Sequence, residues 1–193
     1  RKSAPLPYDL HAEGQIVRSD TMAIRLRSGK KVGAPFNVYL YAPDDQMQFR
    51  SYAVSAGDEI ADTLPLFTGI NNPYHVRIDG PNGFMREFKG RPTDPSVSVN
   101  VDYKGGNTVV LVENLSSDPR TLEIRDEAYG GKPISRTLAS GEKASITVDC
   151  HAAHGWYDFT VAVAGCALER RFAGRVETGQ WGITDPVMGR VVV

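Results

Sequence analysis

The chain has 193 residues, 41% of them apolar, with 22 basic and 23 acidic side chains and a formal net charge of −1. That apolar fraction excludes a disordered polymer, and charges scattered this evenly offer no broad positive field to a phosphate backbone, so no nucleic acid is expected as a partner. No apolar run reaches the roughly 18 residues that span a bilayer, so no transmembrane segment is expected; without a starting Met or a signal-peptide profile, the sequence reads as a piece of something longer.

Along the chain, "TMAIRLRS" sets Met22, Ile24 and Leu26 in alternation with Arg25 and Arg27, and "FNVYLYA" sets Phe36, Val38 and Leu40 in alternation with Asn37 and Tyr39. Alternation with a period of two is the mark of a half-buried strand. It recurs in "VSVNVDY" (Val97, Val99, Val101), "ASITVDC" (Ala144, Ile146, Val148) and "YDFTVAV" (Tyr157, Phe159, Val161, Val163), with Gly, Pro, Asn or Asp between the runs. Hardly any window carries a helical stripe. Short strands at spacings of about 8 to 12 residues, punctuated by 19 Gly and 12 Pro, predict an all-β chain of antiparallel sandwiches or barrels.

The stretch "GFMREFKGR" at 83–91 is echoed by "ALERRFAGR" at 167–175. Gly57 and Gly141 differ by 141 − 57 = 84, and the same offset relates Ser51 to Ser135, Arg86 to Arg170, Phe88 to Phe172, Gly90 to Gly174 and Arg91 to Arg175. Tyr74 and Tyr157 match at 83, and apolar strand positions follow in kind, Val38 with Leu122, Leu40 with Ile124 and Phe84 with Leu168. The pattern predicts a tandem duplication into two antiparallel β-sandwich domains, each of about seven strand-like runs, divided near "RPTDPS" at 91–96, where two prolines interrupt pairing.

Most repeated residues have structural roles open to them. Gly57 and Gly141, in "SAGDE" and "ASGEK", read as hairpin turns needing positive φ. Tyr74 and Tyr157 open strands on the apolar phase, where a ring is buried with its hydroxyl near the rim. Arg86 shares the phase of Phe84 and Phe88, and Arg170 that of Leu168 and Phe172, so both point toward the interior or its edge. A buried guanidinium must be paired. A satisfied Arg at a sheet edge or inter-domain seam is the first reading, and contact with a ligand the second.

The runs "PLPYDLHAEG", "YHVRIDGPNGFMREFKG", "EAYGG" and "HGWYDFTVAVAG" with "ERRFAGRVETG" resemble the tandem C-terminal domains of bacterial phosphocholine-type phospholipases C, from about residue 5 to about residue 188. The resemblance implies a secreted or periplasmic parent enzyme hydrolysing phosphatidylcholine and sphingomyelin, with a large N-terminal catalytic domain absent here. It implies residues 1–11 as a linker from that domain, 12–94 and 95–179 as two sandwich repeats, and 180–193 as a C-terminal tail. No catalytic residue carries over, because the family's nucleophile lies in the absent domain.

Residue by residue, no catalytic set, metal site or cofactor is expected. Asp149, His151, His154 and Asp158 form the one tempting cluster, but two His three apart on a turn do not make a zinc tetrahedron. Asp44, Asp45, Asp58, Glu59 and Asp62 lack the dense Asp/Asn/Gly loop of calcium sites. Cys150 and Cys166 should lie at opposite ends of a sheet, about 20 Å apart, beyond the reach of a disulfide. Two free thiols are expected.

The segment "DTLPLFTGINNPY" places Leu64, Leu66, Phe67 and Ile70 between strands, where polar residues are the norm. They read as a capped core or as a patch facing the catalytic domain or a phospholipid surface, with Trp156 of "CHAAHGW" in the same place in the second copy. Three roles remain: an accessory region that packs on the catalytic domain and helps it engage lipid, an independent module binding a lipid headgroup or carbohydrate, and a purely structural or export-supporting domain. Fold alone does not choose among them.

Overall fold

The computed structural model describes residues 1–42, 46–67 and 73–188, and among these no helix forms. The first copy holds β2 (Leu10–Arg18), β3 (Thr21–Ser28), β4 (Ala34–Tyr41), β5 (Met47–Val54), β6 (Glu59–Pro65), β7 (Tyr74–Asp79) and β8 (Met85–Gly90). The second holds β9 (Val97–Lys104), β10 (Asn107–Asn114), β11 (Arg120–Asp126), β12 (Ile134–Leu138), β13 (Lys143–Val148), β14 (Trp156–Val163) and β15 (Glu169–Arg175). Two short strands, β1 (Lys2–Ser3) and β16 (Gly182–Ile183), pair the two ends of the chain.

Each copy is a sandwich of the same plan. Strands β2-β3-β6 and β9-β10-β13 make the two three-stranded sheets, each packed against four strands of its own copy. The two four-stranded halves are one sheet, ordered β12-β11-β14-β15-β8-β7-β4-β5 and antiparallel throughout, joined where β8 pairs with β15. At about 4.8 Å per strand, the shared sheet is roughly 34 Å wide.

The alternation in the sequence explains the layers. In β4, Phe36, Val38 and Leu40 are buried, while Pro35, Asn37 and Tyr39 face outward. Met22, Ile24 and Leu26 of β3 meet them from the opposite sheet, with Leu64, Val76 and Ile78 completing the first core. The second core is built from the matching strands, around Val110, Leu122, Phe159, Val161 and Phe172. Burying one such side chain contributes about 1.5–3 kcal/mol, and the core residues named are almost wholly inaccessible. The β8–β15 pairing that joins the copies therefore merges no cores; each copy keeps its own.

Three details differ from the sequence expectations. Gly57 and Gly141 have φ of 75° and 73°, as positive-φ turns require, but they do not close hairpins. The chain passes there from the eight-stranded sheet to a three-stranded one, from β5 to β6 and from β12 to β13, so each turn is an arch between layers. Strand β6 also runs through Leu64 to Pro65, paired with Thr21 of β3, so Leu64 is a strand residue rather than a loop residue. At the N-terminus, β2 begins at Leu10, inside the segment expected as linker, and linker and tail are tied together by β1 and β16.

Candidate functional site

The chemistry of the molecule concentrates where β8 meets β15. The register sets Phe88 opposite Arg170, Glu87 opposite Arg171 and Arg86 opposite Phe172. Since 171 − 87 = 84, Glu87 and Arg171 are equivalent positions facing each other, and a local two-fold axis runs between them. A strand paired with its own copy in this way forms an isologous interface, the geometry of a symmetric dimer, closed here within one chain.

Both repeated arginines cross this axis. Arg86 is 2% exposed; its Nη1 donates to the Met85 carbonyl (2.8 Å) and to the Ala173 carbonyl of the second copy (3.0 Å), and its Nη2 donates to the hydroxyls of Tyr103 (2.7 Å) and Tyr157 (3.1 Å). Arg170, 4% exposed, mirrors it, with Nη1 donating to the carbonyls of Glu169 (2.8 Å) and Lys89 (2.7 Å) and Nη2 to the Tyr74 hydroxyl (2.8 Å). Each copy thus sends its arginine to the other copy's tyrosine. Among the described residues no carboxylate bonds either guanidinium: the charge is met by carbonyls, hydroxyls and ring faces, with Phe84 at 4.1 Å from the Arg86 guanidinium carbon and Phe88 at 5.5 Å from that of Arg170.

Proton counting orders the hydroxyls. Tyr103 has one O–H and donates it to the Leu10 carbonyl at 2.9 Å, so Tyr157 is the donor in the 3.0 Å contact between the two hydroxyls, and both still accept from Arg86. Burial pushes the Tyr103 hydroxyl well above its ordinary pKa, which keeps it a donor. Through Leu10 the network also ties β2 to β9.

The rest of the echoed motif serves the same seam. Phe88 and Phe172 are buried in the two cores. Gly90 and Gly174 lie directly opposite Tyr74 and Tyr157, and a Cβ there would come within 2.5 Å and 2.9 Å of the respective hydroxyls. Glycine leaves the room in which each ring reaches its arginine. Arg91 and Arg175 have parted: Arg91 is exposed, whereas Arg175 is buried with Glu177 at 3.1 Å and stacks over Trp156.

The segments leaving β8 and β15 cross as well. Asp94, after the first copy, accepts from the backbone N–H of Arg91 (2.7 Å) and from that of Ala167 (3.3 Å) in the second copy. Glu177, after the second copy, accepts from Asn82 Nδ2 (2.8 Å) in the first copy and from the N–H of Leu6 (3.2 Å). Clefts of about 600 and 820 Å³ flank the seam, the first lined by Tyr74, Arg91, Asp94 and Arg170, the second by Tyr103, Arg175, Glu177, Arg27, Lys30 and Lys31.

The other candidates do not converge. Leu64 and Leu66 are core residues and Phe67 is half-buried against that core, so they present no outward patch; Ile70, like Asp44 and Asp45, lies outside the described residues. Trp156 is 9% exposed, under the tail, its indole N–H donating to the Ile183 carbonyl at 3.0 Å. Asp149 and His151 pair at 2.7 Å on an exposed turn, His154 takes a positive φ in that turn, and Asp158 is held by Arg171 through two 2.7 Å bonds on the outer sheet face. Asp58 and Glu59 turn to the Glu59 N–H and Arg25, while Asp62 accepts from Arg50 and Tyr52. Among the described residues no three His, Cys, Asp or Glu side chains are grouped to hold a metal, and no helix is long and apolar enough to cross a membrane. Cys150 is buried and Cys166 half-buried, both as free thiols.

Sequence reasoning found Arg86, Arg170, Tyr74 and Tyr157 through the repeat. It missed Tyr103, which has no counterpart at the repeat offset, and the crossing roles of Asp94 and Glu177, which lie beyond the last strand at the ends of the two expected repeats.

The family described as "Bacterial phospholipase C, C-terminal domain" matches the chain twice, over residues 3–91 and 95–175. A non-hemolytic phospholipase C of Pseudomonas aeruginosa is 30% identical over 98% of this chain and 29% of its own length. A non-hemolytic phospholipase C of Burkholderia pseudomallei is 27% identical over 97% of this chain and 28% of its own, and a hemolytic phospholipase C of P. aeruginosa is 27% identical over 97% and 30%. The chain thus spans under a third of these relatives. Among solved structures, red sea bream transglutaminase covers 82% of this chain and 29% of that chain at 13% identity and a TM-score of 0.33, a level that supports no conclusion about fold. Matched through both of its repeats, the chain belongs to the family of bacterial phospholipase C C-terminal domains.

Proposed function

We propose that the chain is the non-catalytic C-terminal accessory region of a secreted or periplasmic bacterial phospholipase C acting on phosphatidylcholine and sphingomyelin. Its two units, residues 12–94 and 95–179, pack on the catalytic domain of the same parent chain and help it engage a phospholipid surface. The observation that carries this is the family match through both copies, together with relatives more than three times as long that bear phospholipase C names. The seam adds support, because its arginines and tyrosines are committed to one another and so serve as a rigid mount.

The test is the parent enzyme with and without this region, assayed on phosphatidylcholine vesicles and on a soluble phosphocholine ester. Loss on vesicles with the soluble rate retained is expected. An unchanged ratio of the two rates, with only the yield of folded enzyme lowered, would make the region a structural or export-supporting domain instead. The isolated chain is expected to release no phosphocholine from either substrate.

A second reading, an independent module for a lipid headgroup or carbohydrate, is favoured by the 820 Å³ cleft, where Arg27, Lys30 and Lys31 stand beside the rings of Tyr8 and Tyr103. Saturable binding of phosphocholine or an oligosaccharide to the isolated chain, lost in Lys30→Ala with Lys31→Ala, would select it.

A further inference from the structure

The two ends of the chain are clasped. Lys2 pairs with Ile183 and Ser3 with Gly182, and the N–H of Thr184 donates to the Arg1 carbonyl at 2.9 Å. The tail is held from below by Trp156, whose indole bonds the Ile183 carbonyl, and from the side by Tyr129, whose hydroxyl donates to Asp185 Oδ1 at 3.1 Å. Asp185 in turn accepts from the N–H of Val187 at 2.9 Å. The guanidinium of Arg175, ion-paired with Glu177, lies against Gly182.

This fixed segment nevertheless turns its two largest apolar side chains outward. Trp181 is 71% exposed and Met188 is 74% exposed, more than the other large apolar residues described. Indole and thioether groups left in water on an anchored backbone are a contact surface rather than a loose end, since both residue types are enriched in interface cores.

The position identifies the occupant. Trp181 adjoins Gly182, and Gly182 is paired with Ser3, so the chain enters the region beside Trp181. The family is a C-terminal one and the relatives are more than three times longer, so the preceding part of the parent chain emerges at this face. A tether that short makes contact with the face an intramolecular event with a high effective concentration, which a bilayer or a second copy would have to outcompete.

We infer that Trp181 and Met188, presented by the β1–β16 clasp, form the docking face for the catalytic part of the parent chain that precedes Arg1. The inference rests on the accessory reading and names the surface that reading requires. The seam and the docking face are then separate: the first holds the copies together, the second mounts the pair.

Hydroxyl-radical footprinting read by mass spectrometry tests it, comparing the 193-residue chain with the full-length parent. Oxidation of Trp181 and Met188 is expected to fall several-fold in the parent, while Met47 and Phe49, exposed on the far edge strand β5, serve as references. Equal oxidation of Trp181 and Met188 in the two proteins would overturn the inference. So would shielding that appears only when phosphatidylcholine vesicles are added, or only when the isolated chain is concentrated. Trp181→Ser with Met188→Ser is expected to leave the melting of the isolated chain unchanged and to restore catalytic-domain mobility relative to this region in the parent. A vesicle-to-soluble ratio unaffected by deleting the region would refute the accessory role alone, since shielding of Trp181 would still show the docked face.

Discussion

Gly90 and Tyr74 show how tightly single residues are constrained at the seam. A Cβ at Gly90 would come within 2.5 Å of the Tyr74 hydroxyl, and at Gly174 within 2.9 Å of the Tyr157 hydroxyl. Gly90→Ala is expected to lower stability by about 1–3 kcal/mol, the usual range for overpacking. Tyr74→Phe removes the obstructing oxygen, so the double variant should lose less than the sum of the two single losses in urea melts. Glu87 makes a pH-dependent contribution. The hydrogen bond from His75, helped by Lys89 and opposed by burial, holds its carboxyl at about 2 against an ordinary value of 4.5. A depressed carboxylate stabilises the fold above its unfolded value and loses that contribution as pH falls through the folded one. The stability gap between the native chain and Glu87→Gln should therefore be widest above about pH 5 and close progressively between 4.5 and 2.

At the scale of elements, the strands were legible because alternation and burial coincide: Phe36, Val38 and Leu40 alternate in sequence and lie on one face of β4. The repeat was legible because the seam demands the same residues twice. Arg86 and Arg170 each need a carbonyl pair and a tyrosine across the axis, and Gly90 and Gly174 each need to clear a ring. What was not legible is which copy supplies the partner, because a periodic pattern fixes the face of a strand but not its neighbour at a sheet edge. The arches at Gly57 and Gly141 were misread for the same reason, a positive-φ turn being compatible with either a hairpin or a change of layer. Of the two readings open for Leu64, Leu66 and Phe67, their burial fits the capped core, Leu64 continuing β6 opposite Met22, while Trp156 is covered by a tail no pattern could position. Replacing Arg86 by Met is expected to destabilise the chain by roughly 3 kcal/mol or more, as breaking a buried charge's partnership does. Arg170→Met should cost less, since Arg170 serves one tyrosine where Arg86 serves two. Cutting the backbone between Pro92 and Pro95 should leave the halves together in gel filtration, because the β8–β15 ladder, not the connection, joins them.

On the scale of the whole molecule, the isologous seam makes two sandwiches into one unit. Each core is private to its copy, but each arginine is bonded in the other copy, so the copies should stabilise one another. The axis pair, Glu87 opposite Arg171, sets unlike charges face to face, whereas two identical copies would oppose Glu to Glu or Arg to Arg. The duplication thus kept the bonding groups of a symmetric interface and changed the residues on its axis. Native-state amide hydrogen exchange of Arg86→Met tests this most directly, because Arg86 belongs to the first copy while Tyr103 and Tyr157 belong to the second. The expected result is faster exchange in β9 and β14 of the second copy, comparable with that in β7 and β8 of the first. Faster exchange confined to residues 10–90, with the second copy as protected as in the native chain, would contradict the exchanged-arginine seam.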